Sequence, residues 1–161
     1  MIAVVLGAAL VVLAAQDNGP VRPAPERSPR VSPSAPRPGA RAAAEEYLRH
    51  IYAVYLSIRG CSEASAARGK PELLPSVPLD EVRRAMRQID LAAKEVGLDV
   101  EALWAEISPV GLITAEALKA DTPANLENCA RLGGVFRVDL GNLQNALNAL
   151  GSSRVVIEKD F

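Results

Sequence analysis

One apolar stripe constrains what this chain can fold into more than any other feature. Leu126, Cys129, Gly133, Phe136, Leu140, Leu143, Leu147 and Leu150 recur at spacings of 3, 4, 3, 4, 3, 4 and 3. A half-buried strand alternates every second residue, whereas alternating steps of three and four return each side chain to one face of an α-helix. A seam sustained over more than three heptads needs an apolar partner surface along its length. Gly133, Gly134 and Gly141 interrupt it, each costing up to about 1 kcal/mol relative to alanine. They argue against a rigid continuous rod, and they would be useful where a neighbouring helix approaches closely. Gly151 supplies a stop.

The rest of the chain from Ala40 offers such partners. In RAAAEEYLRHIYAVYLSIRGC, residues Ala44, Tyr47, Leu48, Ile51, Val54, Tyr55, Ile58 and Cys61 form a dry stripe at helical spacing. Gly60 weakens that helix near its end, so Ser62 to Val77, with breakers Gly69, Pro71 and Pro75, reads as a loop. Pro78 marks the start of a second helix, striped by Val82, Ala85, Met86, Ile89, Ala93 and Val96 and ended by Gly97. A third helix opens at the N-cap Asp99, with Leu98 placed to pack on Leu103 as a hydrophobic staple. Ser108 and Pro109 read as the N-cap and first residue of a further short helix to about Lys119, and Thr122 with Pro123 repeats that signal for the last helix. Nothing alternates at strand period. The expected fold is all-α, a small bundle of four to five helices over residues 40–151, followed by a tail over 152–161 that docks or frays. With three amphipathic partners in the same chain, intramolecular packing is a simpler use of the leucine stripe than a dimer seam, and the oligomeric state stays open.

Two segments precede this domain. Residues 1–15, MIAVVLGAALVVLAA, are apolar or glycine throughout. As a helix they rise about 22 Å, short of the roughly 30 Å hydrocarbon thickness of a bilayer. Small residues Ala14 and Ala15 suit a signal peptidase, so an export signal peptide is the leading expectation. The basic n-region is missing, which a start site placed too far downstream would explain. A retained membrane anchor and a buried helix of the fold are the alternatives. Residues 16–39 form a proline-rich linker, Gly19 to Gly39 holding seven of the chain's twelve prolines. Each proline fixes φ and removes a donor, so the expectation is an extended, disordered spacer with a reach of about 60 Å at ~3.1 Å per residue. Its PVRP and PSAP stretches also fit a peptide ligand, and its arginines fit contact with anionic lipid or wall polymer.

The compartment decides what Cys61 and Cys129 mean. They lie on the dry stripes of the first and last helices, near the end of one and the beginning of the other. Antiparallel packing brings both sulfurs to one end of the bundle, so in an exported protein a structural disulfide is expected; a buried reduced pair is the alternative. There is no CxxC and no CxxCH, and two cysteines with the single histidine, His50, cannot complete a zinc site without carboxylates. No metal and no cofactor are therefore expected, and His50 reads as a partly exposed helix residue. With 18 basic against 19 acidic side chains the total charge implies no nucleic-acid partner.

Catalytic signatures are missing too: no GxSxG, HExxH, P-loop or dinucleotide fingerprint occurs. Glu45 and Glu46 on the first helix, and Glu101 and Glu106 beside Trp104 on the third, read as solvated faces. The expectation is that the chain is not an enzyme. Tyr47, Tyr52, Tyr55 and Trp104 hold most of the domain's aromatic surface and serve either as core or as the lining of an interaction or ligand groove.

YLRHIYAVYLSIRGC from Tyr47 to Cys61, the second amphipathic helix, and DVEALW from Asp99 to Trp104 with a later cysteine resemble a group of small exported bacterial proteins of unknown function. The resemblance covers residues 45–130 and implies export, helices and a disulfide. It departs in the long proline spacer and the glycine-rich last helix, and it brings no catalytic residues or ligand. The function expected is that of a non-enzymatic helical domain of the bacterial envelope, periplasmic or secreted, that contacts an envelope protein. Membrane contact follows only if the N-terminal segment is retained. A small-ligand or metal carrier, and a periplasmic stress chaperone, are the alternatives.

Overall fold

The computed structural model describes residues 37–71 and 74–156. The expected signal peptide over residues 1–15, most of the expected linker over 16–39 and the last five residues of the tail lie outside the described residues. The described part is all-α, with four helices: α1 (Ala40–Arg68), α2 (Leu79–Glu95), α3 (Val100–Leu118) and α4 (Pro123–Ala149).

The expected boundary signals act at most ends. Asp99 accepts a hydrogen bond from the Ala102 amide at 2.9 Å, and Thr122 accepts one from the Asn125 amide at 3.2 Å. Gly97 takes φ of +75° and closes α2, with the Leu98 amide donating to the Ala93 carbonyl and the Gly97 amide to Lys94, a Schellman arrangement. Gly151 does the same for α4.

Two expected breaks are absent. The first helix does not stop at Gly60 but continues to Arg68, where Gly69 takes φ of +62°. Gly60 instead lies against α3, where an added Cβ would stand 2.6 Å from the Ala115 carbonyl oxygen. The close approach of two helix backbones outweighs the modest propensity cost of one glycine. Likewise Pro109 does not begin a new helix; it sits inside a continuous α3. Ala105 and Pro109 are both exposed, so the carbonyl that Pro109 cannot donate to lies on the side facing water. Beyond it α3 leaves Val110 67% and Ile113 72% exposed.

The leucine-striped helix is also continuous, despite its glycines. Its seam from Cys129 to Leu147 is buried within the chain, with Leu126 and Leu150 half-buried at the ends. Gly133 admits a loop rather than a helix, since Ser76 and Val77 occupy the space its side chain would take. Arg41 bonds the Gly97 carbonyl and Tyr52 bonds Asp90, so α1 runs antiparallel to α2. Gly111 lies on Leu56 and Gly60 on Ala115, so α1 runs parallel to α3. Helix α1 packs most extensively on α3 and α4. That central place buries Tyr52 and Leu56, which lie outside the expected stripe. Phe136, Leu140 and Leu143 meet Leu48 and Ile51 in the main core.

Cys61 and Cys129 form a disulfide with Cα atoms 5.8 Å apart, fully buried in a small satellite cluster with Ala64 and Leu118. A disulfide-bonded pair is compatible with a non-cytoplasmic location. The described part of the tail docks. Gln144 donates to the Arg154 carbonyl at 3.0 Å and accepts from the Val156 amide at 2.6 Å, while Ser152 donates to Glu95 at 2.8 Å.

Two outcomes of chemical or urea unfolding check this packing. Gly60→Ala is expected to lower the unfolding free energy by about 1–3 kcal/mol through overpacking at Ala115, whereas Gly141→Ala, with nothing within 4 Å of the added Cβ, is expected to raise it by about 0.5–1 kcal/mol. Replacing both cysteines by alanine opens a loop of 68 residues and is expected to cost roughly 4 kcal/mol on the chain-entropy model.

Candidate binding groove

Three elements build an open groove of about 400 Å³. Helix α1 contributes Tyr52 and Tyr55, three residues apart and so on one face, and α3 contributes Trp104 from its second turn. The Tyr52 and Trp104 rings meet edge to face, with centroids 5.2 Å apart and planes at 88°. Tyr55 lies at 6.2 Å from Trp104 with its ring tilted. Tyr52 is buried and forms the floor, while Tyr55 and Trp104 are half-buried and remain reachable.

Helix α2 supplies the opposite wall with Arg83, Met86, Arg87, Asp90 and Lys94. The Tyr52 hydroxyl donates to Asp90 Oδ1 at 2.8 Å. Burial, then the neighbouring Asp90 charge, pushes the Tyr52 phenol far above its ordinary range, so it stays a neutral donor. Burial likewise raises the Asp90 carboxyl above its ordinary value, against the lowering effect of the Tyr52 hydrogen bond and of Lys94. Lys94 pairs with Glu101 at 2.5 Å across the α2 and α3 ends, and Arg83 pairs with Asp80 at 3.1 Å. Arg87 has no ion pair or hydrogen bond to the described residues.

The groove lining contains no serine, cysteine or histidine, so it offers none of the usual nucleophiles paired with an imidazole base. Among the described residues no three His, Cys, Asp or Glu side chains group to hold a metal ion.

The structure brings together three of the four singled-out aromatics and separates the fourth. Tyr47 faces a different hollow, between the start of α1 and the end of α4, beside Ala43, Asn142 and Asn145. The five helical steps from Tyr47 to Tyr52 turn the two rings some 140° apart, at about 100° per residue. His50 is exposed, as expected. The α2 wall was not singled out in the sequence. Its trace is there, for Arg83, Arg87, Asp90 and Lys94 follow the stripe residues Val82, Met86, Ile89 and Ala93 by one position each and so edge the buried face.

No family model, no curated protein and no solved structure matches this chain.

The half-buried Asp90 carboxylate sets a pH dependence. A raised folded-state value means that the folded chain holds the Asp90 proton to higher pH than the unfolded chain does, so stability falls as pH rises through that interval. Asp90→Asn keeps an acceptor for Tyr52 and removes this penalty. The variant is expected to be more stable than the parent at neutral pH and to lose that advantage in acid below the ordinary carboxylate range. Thermal unfolding of both proteins across pH reads it.

Proposed function

We propose that this chain is a non-enzymatic helical domain of the bacterial envelope that works by binding another protein, and that the groove between α1, α2 and α3 is where it binds. The observation that carries the reading is the reachable pair Tyr55 and Trp104 over the buried Tyr52, edged by Arg83 and Arg87. Tyrosine, tryptophan and arginine are enriched among the few residues that carry most binding energy at protein interfaces, because they combine large contact area with polar groups that fix orientation. An export signal at residues 1–15, a spacer over 16–39 and a disulfide fit work outside the cytoplasm. A small-ligand carrier is the second reading, favoured by the groove volume of about 400 Å³, which falls within the usual range for small-molecule sites.

A photo-crosslinking aromatic amino acid at position 55, compared with the same group at the exposed position 131 on α4, separates the two. In the native host a discrete protein adduct is expected from position 55 alone, and it is expected to disappear on Trp104→Ala in a variant whose helical spectrum is unchanged. An adduct of only small-molecule mass moves the assignment to a carrier. Equal adducts from both positions, or none from position 55, overturn the groove as the binding site.

A further inference from the structure

The charges around the groove are not interchangeable, and their pairing points to the chemistry of the partner. Resting on the groove as the binding site, we infer that it takes an acidic peptide segment, with an apolar or aromatic side chain against Trp104 and a neighbouring carboxylate on Arg87. Each acid of the lining already has an internal partner: Asp90 accepts from the Tyr52 hydroxyl at 2.8 Å, and Glu101 holds Lys94 at 2.5 Å. A basic segment would have to break one of these contacts to gain its own. Two of the three lining cations are engaged as well, Lys94 with Glu101 and Arg83 with Asp80. Arg87 is left, exposed on the rim and without a partner among the described residues.

A guanidinium presents paired donors in a planar fork that matches a carboxylate, so its unmet capacity selects an acid. Arg84 precedes it by three positions on α2 and is also exposed, adding positive potential on the same helix. The remaining wall is apolar, made of Tyr55, Met86, Val100 and Trp104. That wall asks for an apolar group attached to the anion. A volume of about 400 Å³ accommodates a short stretch of side chains rather than a folded surface, so the partner presents a segment.

Trp104 is the only tryptophan of the chain and lies in the groove, so its fluorescence reports occupancy directly. Three blocked five-residue peptides serve as probes, each with a central phenylalanine flanked by two glutamates, two glutamines or two lysines. The glutamate peptide is expected to bind about fivefold more tightly than the glutamine one, the scale of one exposed ion pair, and to weaken as ionic strength rises. Arg87→Gln is expected to erase the advantage of the glutamate peptide over the glutamine one, and Arg87→Lys to keep part of it. Glutamine or lysine peptides binding as tightly as the glutamate one, or a preference indifferent to Arg87→Gln, overturns the inference and leaves the groove reading standing. A Trp104 signal indifferent to all three peptides, with the helical spectrum intact, overturns both.

Discussion

The contact between the backbones of α1 and α3 is the constraint on which the rest of the domain rests. Gly60 lies against the Ala115 carbonyl and Gly111 against Leu56, one turn apart on each helix. Two such contacts fix both the separation and the parallel register of the pair, because a side chain at either glycine would push the helices apart. Toward the helix starts, the same parallel pairing sets Trp104 edge-on to Tyr52. The groove is therefore a consequence of where the glycines fall, as much as of where the aromatics fall.

The bundle is then closed at its ends by local devices. At one end the disulfide ties α1 to α4, and the Asn125 side chain donates through Nδ2 to the carbonyls of Ala117 and Ala120, holding the turn between α3 and α4. At the other, residues 152–156 are clamped by Gln144 and Glu95, and Arg41 reaches the Gly97 carbonyl. Hydrogen bonds to exposed groups contribute little singly. Their role here is to stop the helix ends from splaying around a core of modest size. Helix α2 is attached mostly through its apolar stripe and through Tyr52 to Asp90, which leaves the groove open along its free edge.

That one hydrogen bond also organises the groove's electrostatics. A buried phenol whose ionisation is pushed far up by burial satisfies a half-buried carboxylate, and Lys94 is drawn to Glu101 on the neighbouring helix. Negative charge is thus held by the protein's own donors, and the unmatched charge at the rim is positive.

Much of the fold was legible in the residues themselves. The leucine seam, the caps at Asp99 and Thr122, the stops at Gly97 and Gly151 and the pairing of Cys61 with Cys129 all depend on local periodicity, on φ preferences or on helix direction, and these are encoded within a few residues. Gly60 and Pro109 misled because their meaning depends on what lies opposite. A glycine touching Ala115 is a contact rather than a stop, and a proline with its orphaned carbonyl toward water does not end a helix. Tyr47 lies on the expected stripe of α1 and Tyr52 off it, yet the placement of α2, α3 and α4 around α1 sends the first to a separate hollow and buries the second as the groove floor. The sequence by itself determined that the domain is helical and where most of its dry faces lie, because both follow from a period of 3.6 residues. The tertiary structure alone decided which helices touch, at what register and with which charges left unmatched, because those depend on side-chain volume and backbone approach between residues far apart in the chain.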